Sequence, residues 1–292
     1  MSGGGIRYKY ARLSIAEKLI AINVLVFIAN ALIPFLLGLP KNSINRWFEL
    51  PKEFFEFLSQ PWSLVTYSFF HGGLWHLLMN MLILYFTARI LLNLFGPKTF
   101  INVYFLGVIA GGLLFLLSYN LLPGLVKMNT SGIIGASAGV MAVLIFVCAY
   151  IPNQEVRLIF FNIKLWYLGA FLVLLDLIQI PSGNAGGHIA HLGGALLGYV
   201  YARQLTNGND IGGGFSKFLD GLANMFKGKE KKSPLKTVHR RQKTSSAKKS
   251  VNYEKESHQR KIDAILDKIS KSGYESLSKA EKDFLFKAGK ED

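Results

Sequence analysis

Long apolar runs, separated by short polar turns, occupy the chain between residues 19 and 205. A helix needs about 20 apolar residues to cross a bilayer, or fewer where it is buried among other helices. Six runs come close to that length: 19–39, 75–95, 99–122, 137–151, 158–180 and 187–205. The pattern therefore predicts an all-α membrane protein with a domain of six spanning helices at residues 19–205.

Lysine and arginine residues predict how these helices are oriented. They cluster in the N-terminal segment 1–18, in the turns around 89–98 and 157–164, and in the tail after residue 205. Segments on the cytoplasmic side of a membrane carry an excess of lysine and arginine. We therefore expect both termini on the cytoplasmic side, as an even number of spans requires.

The first loop, residues 40–62, combines aromatic side chains with charged ones. Trp47, Phe54, Phe55 and Trp62 stand among acidic and basic residues. So many charges argue against a span, whereas aromatic rings are favoured in the headgroup region. The pattern predicts a partly embedded loop, although a loop packed on the helix bundle would explain it equally well.

The tail divides into an amphipathic and basic linker, residues 206–250, and a C-terminal segment, residues 251–292. Apolar residues at helical spacing, Phe215 to Phe226, predict a helix on the membrane surface. Residues 229–250 are rich in lysine and serine and are expected to be disordered. The C-terminal segment predicts a helical hairpin, whose first helix (apolar positions 262–269) ends at Gly273 and whose second is opened by a capping box of Ser278 and Glu281.

Composition agrees with a membrane domain and a basic tail. Of the residues, 51% are hydrophobic and 17% charged, and the net charge is +15. Basic residues beside membrane spans are typical of contacts with anionic lipid, so we expect a lipid bilayer as partner and no nucleic acid. Cys148 is the single cysteine, which excludes an internal disulfide and a cysteine-based zinc site.

The first of three polar clusters in the apolar runs is Gly135-Ala136-Ser137-Ala138-Gly139. It fits the pattern G-x-S-x-G, in which small neighbours let a serine occupy a tight turn at the start of a helix. Gly135 and Gly139 also fit the small-xxx-small pattern of packed membrane helices. Ser137 is therefore a candidate nucleophile in a motif that helix packing would also explain.

The second cluster contains His188 and His191, followed by Gly194 and Gly198. The two glycines share a helix face and would allow a neighbouring helix to approach closely. Contact with the start of the fourth span would bring His191 towards Ser137. A neutral imidazole is suited to accept a serine proton near neutral pH, so His191 is a candidate general base.

The third cluster contains His71, His76 and Asn80. His76 and Asn80 are four residues apart and share one face of the second predicted helix. Both could donate hydrogen bonds to an oxyanion that forms near Ser137. Structural hydrogen bonds between helices are the alternative explanation.

A metal site built from His71, His76, His188 and His191 is a further alternative. Motifs such as H-E-x-x-H add a carboxylate to the histidines, and none adjoins these residues in the sequence. Asp176 is the acid in the core of a predicted span. A structural role, as a hydrogen-bond partner of the polar turn at 182–184 or as a protonated side chain, is favoured for it over a catalytic one. No metal and no cofactor are therefore expected.

Taken together, in this order and on these spans, the three clusters resemble the rhomboid family of intramembrane serine proteases. The resemblance covers residues 61–203 and implies a six-transmembrane-helix bundle with a serine–histidine dyad and no catalytic aspartate. The nucleophile falls on Ser137. The base falls on His191, because Gly194 and Gly198 complete the family pattern A-H-x-x-G-x-x-x-G.

The resemblance assigns the remaining polar residues to supporting roles. His76 and Asn80 would stabilise the oxyanion, His71 would support the structure, and His188 would be accessory. Gly135 and Gly139 belong to the serine motif.

The resemblance also implies a reaction and its partners. It implies a serine endopeptidase that cleaves transmembrane protein substrates near the outer face of the membrane. The alternative is a rhomboid-like protein that binds membrane helices without cleaving them; such members typically lack the serine or the histidine. The tail is similar to those of some bacterial rhomboids, which suggests a bacterial inner membrane. The substrate and the oligomeric state do not follow from the sequence.

Overall fold

The structure, a computed structural model, describes residues 6–128, 130, 132–158, 160–226 and 246–288. The chain forms two compact units, residues 1–228 and 229–292. The helices of the first unit are α1 (Ile6–Arg12), α2 (Ile15–Leu36), α3 (Phe54–Ser59), α4 (Ser63–Thr66), α5 (Leu74–Phe95), α6 (Pro97–Leu121), α7 (Pro123–Val126), α8 (Ser137–Tyr150), α9 (Leu165–Gln179), α10 (Ala185–Thr206) and α11 (Gly213–Phe226), and those of the second are α12 (Ser246–Ser272) and α13 (Lys279–Ala288).

Among the described residues of the first unit, short strands occur in two antiparallel pairs. The strand β1 (Leu50–Pro51) pairs with β2 (Gly132–Ile133), and β3 (Glu155–Leu158) pairs with β4 (Phe161–Lys164). The first pair joins the first loop to the segment that precedes α8. The protein is thus an all-α membrane protein in class, as predicted, with strands confined to connections.

Four of the described helices are long and apolar enough to cross a membrane: α2, α5, α6 and α9 with its short extension to Ser182. The helix α8 is apolar but shorter. The helix α10 has 22 residues but interrupts its apolar side chains with glycines and two histidines. The class of the fold is therefore confirmed, whereas the count of six spans stays a prediction.

Local sequence fixes where the long helices begin and end. The helix α2 starts at Ile15 rather than at the predicted residue 19, because Ser14 and Glu17 form a capping box in which each side chain bonds the other's backbone amide. Between α5 and α6, Gly96 has φ +82° and Pro97 opens the next helix. A left-handed glycine followed by a proline ends one helix and begins another without strain.

The helix α8 lies at the centre of the first unit. Every residue from Ala138 to Cys148 is buried, and α8 packs against α5, α6, α9 and α10. By contrast, α2 and α9 expose large apolar side chains such as Leu25, Phe35 and Phe171. Exposed apolar surface on helices of spanning length is the surface that lipid covers.

The fifth predicted span, residues 158–180, begins too early. The strands β3 and β4 form a hairpin in which Val156 pairs with Ile163 and Arg157 pairs with Asn162, and α9 starts only at Leu165. Apolar residues that alternate with polar ones suit a strand, and β-branched Val156 and Ile163 favour it. Sequence reasoning merged the second half of this hairpin with the helix that follows.

The first loop packs on the helix bundle at one edge, whereas its place in the headgroup region stays a prediction. Leu50 is fully buried and pairs with Ile133 across the β1–β2 ladder, and Asn120 Nδ2 donates a hydrogen bond to the Lys52 carbonyl at 2.8 Å. Phe55, by contrast, is 84% exposed. One edge of the loop is therefore packed on the bundle, while aromatic side chains project outward.

The tail agrees with prediction in part. The amphipathic helix α11 is present, whereas residues 227–245, most of the segment expected to be disordered, lie outside the described residues. Residues 246–250 of that segment are helical, because α12 begins at Ser246 and extends to Ser272. Alanine and lysine at 247–249 are good helix formers, which explains the earlier start.

In the second unit, Gly273 (φ +78°) ends α12, and Ser278 and Glu281 form the expected capping box.

Candidate active site

Ser137 is the first residue of α8, at the end of a tight turn. The turn is formed by Gly135, whose φ of +137° is unfavourable for any residue with a side chain. It is held by two long-range hydrogen bonds: the Gly135 amide donates to the Tyr67 carbonyl at 2.9 Å, and the Ala136 amide donates to His71 Nε2 at 3.5 Å. The serine hydroxyl is thus presented from a fixed turn, at a helix end whose first amides have no partner within the helix.

Gly135 also leaves space between two candidate site residues. A Cβ atom at position 135 would lie 3.0 Å from His76 Nε2 and 3.5 Å from Ser137 Oγ. The imidazole of His76 and the hydroxyl of Ser137 therefore border the same small space. Gly139 does not face it, because a Cβ there would meet Tyr104 and Val108 of α6. In the serine motif, Gly135 serves the turn and Gly139 serves helix packing.

The glycine face of α10 packs directly on α8. A Cβ at Gly194 would lie 2.8 Å from the carbonyl carbon of Ala138, and one at Gly198 would lie 3.0 Å from Cα of Ala142. Each step of four residues along α10 matches a step of four along α8, so the two helices run in the same direction here. His191 precedes Gly194 by about one turn, which sets it beside the turn that precedes Ala138.

A carboxylate from α9 joins the two histidines of α10. Asp176 is 7% exposed, and its Oδ1 lies 2.7 Å from Nδ1 of His188 and 2.9 Å from Nδ1 of His191. Sequence reasoning favoured a hydrogen-bonding role for Asp176 but named a polar turn, not these rings, as its partner. An acid within a membrane span signals a specific partner, yet the sequence does not show which one.

The contact with Asp176 has a consequence for the proton positions on the rings. A carboxylate oxygen only accepts hydrogen bonds. Nδ1 of each ring is then the nitrogen that carries the hydrogen, and Nε2 of a neutral His191 is left as an acceptor. In the described part of the chain, neither His191 Nε2 nor Ser137 Oγ has a hydrogen-bond partner, so the direct serine–histidine bond that we expected is not formed. Catalytic hydrogen bonds are often long in the absence of substrate and shorten in the reacting complex.

The same three side chains bear on the metal alternative. Ligand atoms of Asp176, His188 and His191 lie within 4.8 Å of one another, so the carboxylate that the sequence lacked beside the histidines is supplied by α9. The 2.7 Å and 2.9 Å separations are hydrogen-bond distances. Two ligands of a tetrahedral zinc ion are farther apart, about 3.3 Å for bonds near 2.0 Å. The observed geometry is that of a hydrogen-bonded cluster.

The third cluster lies at the start of α5. Asn80 is buried and its Nδ2 donates to the His76 carbonyl at 2.8 Å, which holds the amide on the face that carries His76. The rings of His71 and His76 are in edge contact, with centroids 5.1 Å apart. Burial, followed by the nearby His76, lowers the pKa of His71 to about 4. His71 is therefore neutral near pH 7, as its role as acceptor for the Ala136 amide requires.

Comparison with known proteins adds two family matches. Residues 58–207, just over half of the chain, match the Rhomboid domain, and residues 247–288 match a family of unknown function, DUF6576. The first match contains α5 to α10 and every candidate site residue. The second coincides with α12 and α13.

Individual relatives carry rhomboid names. The human presenilin-associated rhomboid-like protein, mitochondrial, is 31% identical over 198 residues, which is 66% of this chain and 48% of that protein. Rhomboid protein 1, mitochondrial, of Saccharomyces cerevisiae is 30% identical over 204 residues, 66% of this chain and 54% of that protein. RHOMBOID-like protein 12, mitochondrial, of Arabidopsis thaliana is 26% identical over 157 residues, 50% of this chain and 47% of that protein. The chain thus spans about half the length of these relatives, and their mitochondrial names do not bear out the expected bacterial type.

Proposed function

Because the chain belongs to the rhomboid family of membrane proteins, we propose that it is an intramembrane serine endopeptidase with Ser137 as nucleophile and His191 as general base. The observation that carries the proposal is the packing of α10 on α8. Gly194 rests on Ala138, so the turn that bears His191 lies beside the turn that bears Ser137. The multi-pass architecture and the small polar space at the start of α8 also support it.

The proposed reaction has two steps. Ser137 Oγ attacks the carbonyl carbon of a peptide bond while His191 Nε2 accepts the serine proton. The tetrahedral intermediate then collapses, the C–N bond breaks, and the leaving amine takes the proton from His191. In the second step His191 removes a proton from water, the hydroxide attacks the acyl-enzyme, and Ser137 recovers its proton.

We assign three donors to the position where negative charge would develop. They are the Ser137 backbone amide, which is at the helix start, and the side chains of His76 and Asn80. Removal of one such donor typically costs about 2.7–4 kcal/mol of transition-state stabilisation. Gly135 keeps the space between His76 and Ser137 open for the substrate carbonyl.

The proposed substrates are transmembrane proteins, cut near the outer membrane face. A peptide bond within a helix is shielded by its own hydrogen bonds, so helices with small or helix-breaking residues should be preferred. Both termini of the enzyme would lie on the opposite, cytoplasmic side, where the basic tail meets anionic lipid. The part of that prediction that concerns residues 227–245 lies outside the described residues.

Two substitutions test the proposal directly. Ser137→Ala and His191→Ala should each abolish labelling by a fluorophosphonate probe and abolish substrate loss when membrane proteomes with active and inactive protein are compared. Ser118→Ala, a serine elsewhere in a membrane helix, is the matched control and should keep both activities. Cleavage by a folded Ser137→Ala protein would refute the dyad. Absence of labelling in the wild type would favour the alternative, a rhomboid-like protein that binds membrane helices without cleaving them.

A further inference from the structure

Asp176 takes no part in the reaction proposed above, yet it is hydrogen-bonded to the proposed base. Its Oδ1 lies 2.9 Å from Nδ1 of His191 and 2.7 Å from Nδ1 of His188. We propose that Asp176 is a positioning residue that holds His191 in the tautomer with the hydrogen on Nδ1, and that His188 holds Asp176 in place. This inference rests on the proposed function of Ser137 and His191.

The position of Asp176 in the fold supports a specific role. It lies in α9, a helix of spanning length with large exposed apolar side chains, and only 7% of it is exposed. An ionised carboxylate inside a bilayer is costly unless it is paired and hydrogen-bonded. Within the described residues, the rings of His188 and His191 are its hydrogen-bond partners. Apolar packing of α9 alone would be served better by leucine.

The tautomer of His191 decides whether it can act as a base. A neutral imidazole carries its hydrogen on one nitrogen and accepts at the other. A ring with the hydrogen on Nε2 could not accept the Ser137 proton there. The Asp176 carboxylate binds the Nδ1 hydrogen and so leaves Nε2 free, and it stabilises the imidazolium after the serine proton arrives. The Nδ1 hydrogen remains on the ring throughout, so no proton is transferred to Asp176.

His188 gives the carboxylate a second fixed donor. It precedes His191 by three residues on α10, so both rings project from one face of that helix towards α9. Both Nδ1 atoms bond the same oxygen, which orients the carboxylate relative to α10. Loss of the His188 donor should therefore loosen Asp176 without removing the bond to His191, and its effect should be smaller than that of losing the carboxylate.

The variants for the test are made in the full-length protein in detergent. Asp176→Asn keeps the size of the side chain but removes its charge and one acceptor. His188→Phe keeps an aromatic ring but removes the donor. Leu177→Ala is the matched control, because Leu177 is the next residue of α9 and its side chain is half exposed.

Two readouts separate positioning from structure. The first is the rate constant of fluorophosphonate labelling and, with a transmembrane reporter, kcat and KM. We expect Asp176→Asn to lower kcat on the order of 10²- to 10⁴-fold with little change in KM, as expected for a wrong tautomer. His188→Phe should lower kcat less than Asp176→Asn does, and Leu177→Ala should match the wild type. The second readout is the ¹⁵N NMR shift of the His191 ring, whose signals are assigned by comparison with His191→Gln. We expect these shifts to show the hydrogen on Nδ1 in the wild type. In the Asp176→Asn protein we expect it on Nε2 in a substantial part of the molecules.

The outcomes distinguish this inference from the function on which it rests. A folded Asp176→Asn protein with wild-type kcat and unchanged ring shifts overturns the role of Asp176 while the dyad stands. If Ser137→Ala cleaves like the wild type, the proposed function fails, and the NMR shifts still decide whether Asp176 sets the tautomer. A stoichiometric divalent metal in the pure wild type, lost in Asp176→Asn, would overturn the inference in favour of a metal site.

Discussion

Gly194 of α10 lies against the backbone of Ala138 in α8, so closely that a Cβ atom at position 194 would be 2.8 Å from the Ala138 carbonyl carbon. The contact lies one residue after Ser137 and about one turn after His191. Small residues allow these two membrane helices to approach closely. As a result, a serine and a histidine that are 54 positions apart in the chain lie at the same end of the bundle.

Replacing this glycine should therefore separate the helices. The Cβ of Gly194→Ala would overlap backbone atoms, which cannot rotate away, so we expect a loss of about 1–3 kcal/mol in stability together with a loss of labelling at Ser137. Thermal unfolding in detergent and probe labelling measure the two effects. Gly221→Ala is the control, because a Cβ there meets nothing within 4 Å and alanine favours an exposed helix by about 1 kcal/mol over glycine. Equal behaviour of the two variants would contradict the role of the contact.

Gly135 should be as sensitive as Gly194, for a different reason. Its φ of +137° strains any other residue, typically by about 1–3 kcal/mol, and a Cβ would be 2.8 Å from His76 Cε1. We therefore expect Gly135→Ala to lose most of its cleavage activity while its melting temperature falls only moderately. Gly73→Ala, a position near the same site with open space around it and an extended backbone, should retain activity. A fully active Gly135→Ala protein would show that the turn tolerates other geometry.

Helix boundaries were predictable where glycine, proline or a cap interrupts the apolar pattern. The run 75–95 became α5 at Leu74–Phe95 because glycines flank it on both sides. The start of α9 was missed, because the alternation of apolar and polar residues before it is short and its last apolar positions continue into the apolar run of the helix. The pairing of Val156 with Ile163 across β3 and β4 identifies the hairpin. Periodicity identifies a face but does not identify its partner.

The candidate site was predictable as a set of residues, but its internal contacts were not. Ser137, His191, His76 and Asn80 follow from motifs, and the contact of the α10 glycines with α8 follows from their spacing. A short turn joins α9 to α10. The contact of Asp176 with His188 and His191 depends on how α9 is rotated about its own axis relative to α10. That rotation is set by packing against α8 and α10, and no local sequence signal encodes it.

Acidification should destabilise the protein through His71. Burial, and then the nearby His76, lowers the pKa of His71 to about 4 from 6.5, so the unfolded state binds more protons between these values. The contribution of His71 to the free energy of unfolding is complete above pH 6.5. It decreases by up to about 3 kcal/mol as the pH falls towards 4. His71→Gln, which keeps an acceptor for the Ala136 amide, should flatten the fall in melting temperature between pH 7 and pH 5. If the melting temperature of His71→Gln falls with pH as steeply as that of the wild type, other groups cause the fall.

The second unit should depend on the capping box of α13. The Glu281 amide bonds Ser278 Oγ, and the Ser278 amide bonds Glu281 Oε2 at 2.8 Å. Ser278→Ala should cost about 1 kcal/mol and should speed amide hydrogen exchange in α13 of the full-length protein. The bond from the Ser278 amide, together with Lys268, lowers the pKa of Glu281 to about 2, so the cap should persist above pH 5 and weaken only as the pH falls towards 2. Ser272→Ala, outside the cap, should leave exchange in α13 unchanged.

Asn80 offers the cleanest test of the proposed oxyanion site. Its amide is buried at 6% exposure and is held by a 2.8 Å bond from Nδ2 to the His76 carbonyl, so the second amide hydrogen is free to meet a developing negative charge. Asn80→Ala should lower kcat about 10²- to 10³-fold with KM nearly unchanged, because the bond forms only in the transition state. Asn93→Ala, an exposed asparagine near the other end of the same helix, should leave both constants unchanged. If Asn80→Ala instead raised KM at constant kcat, the amide would bind the substrate itself, and His76 and the Ser137 amide would remain as the oxyanion donors.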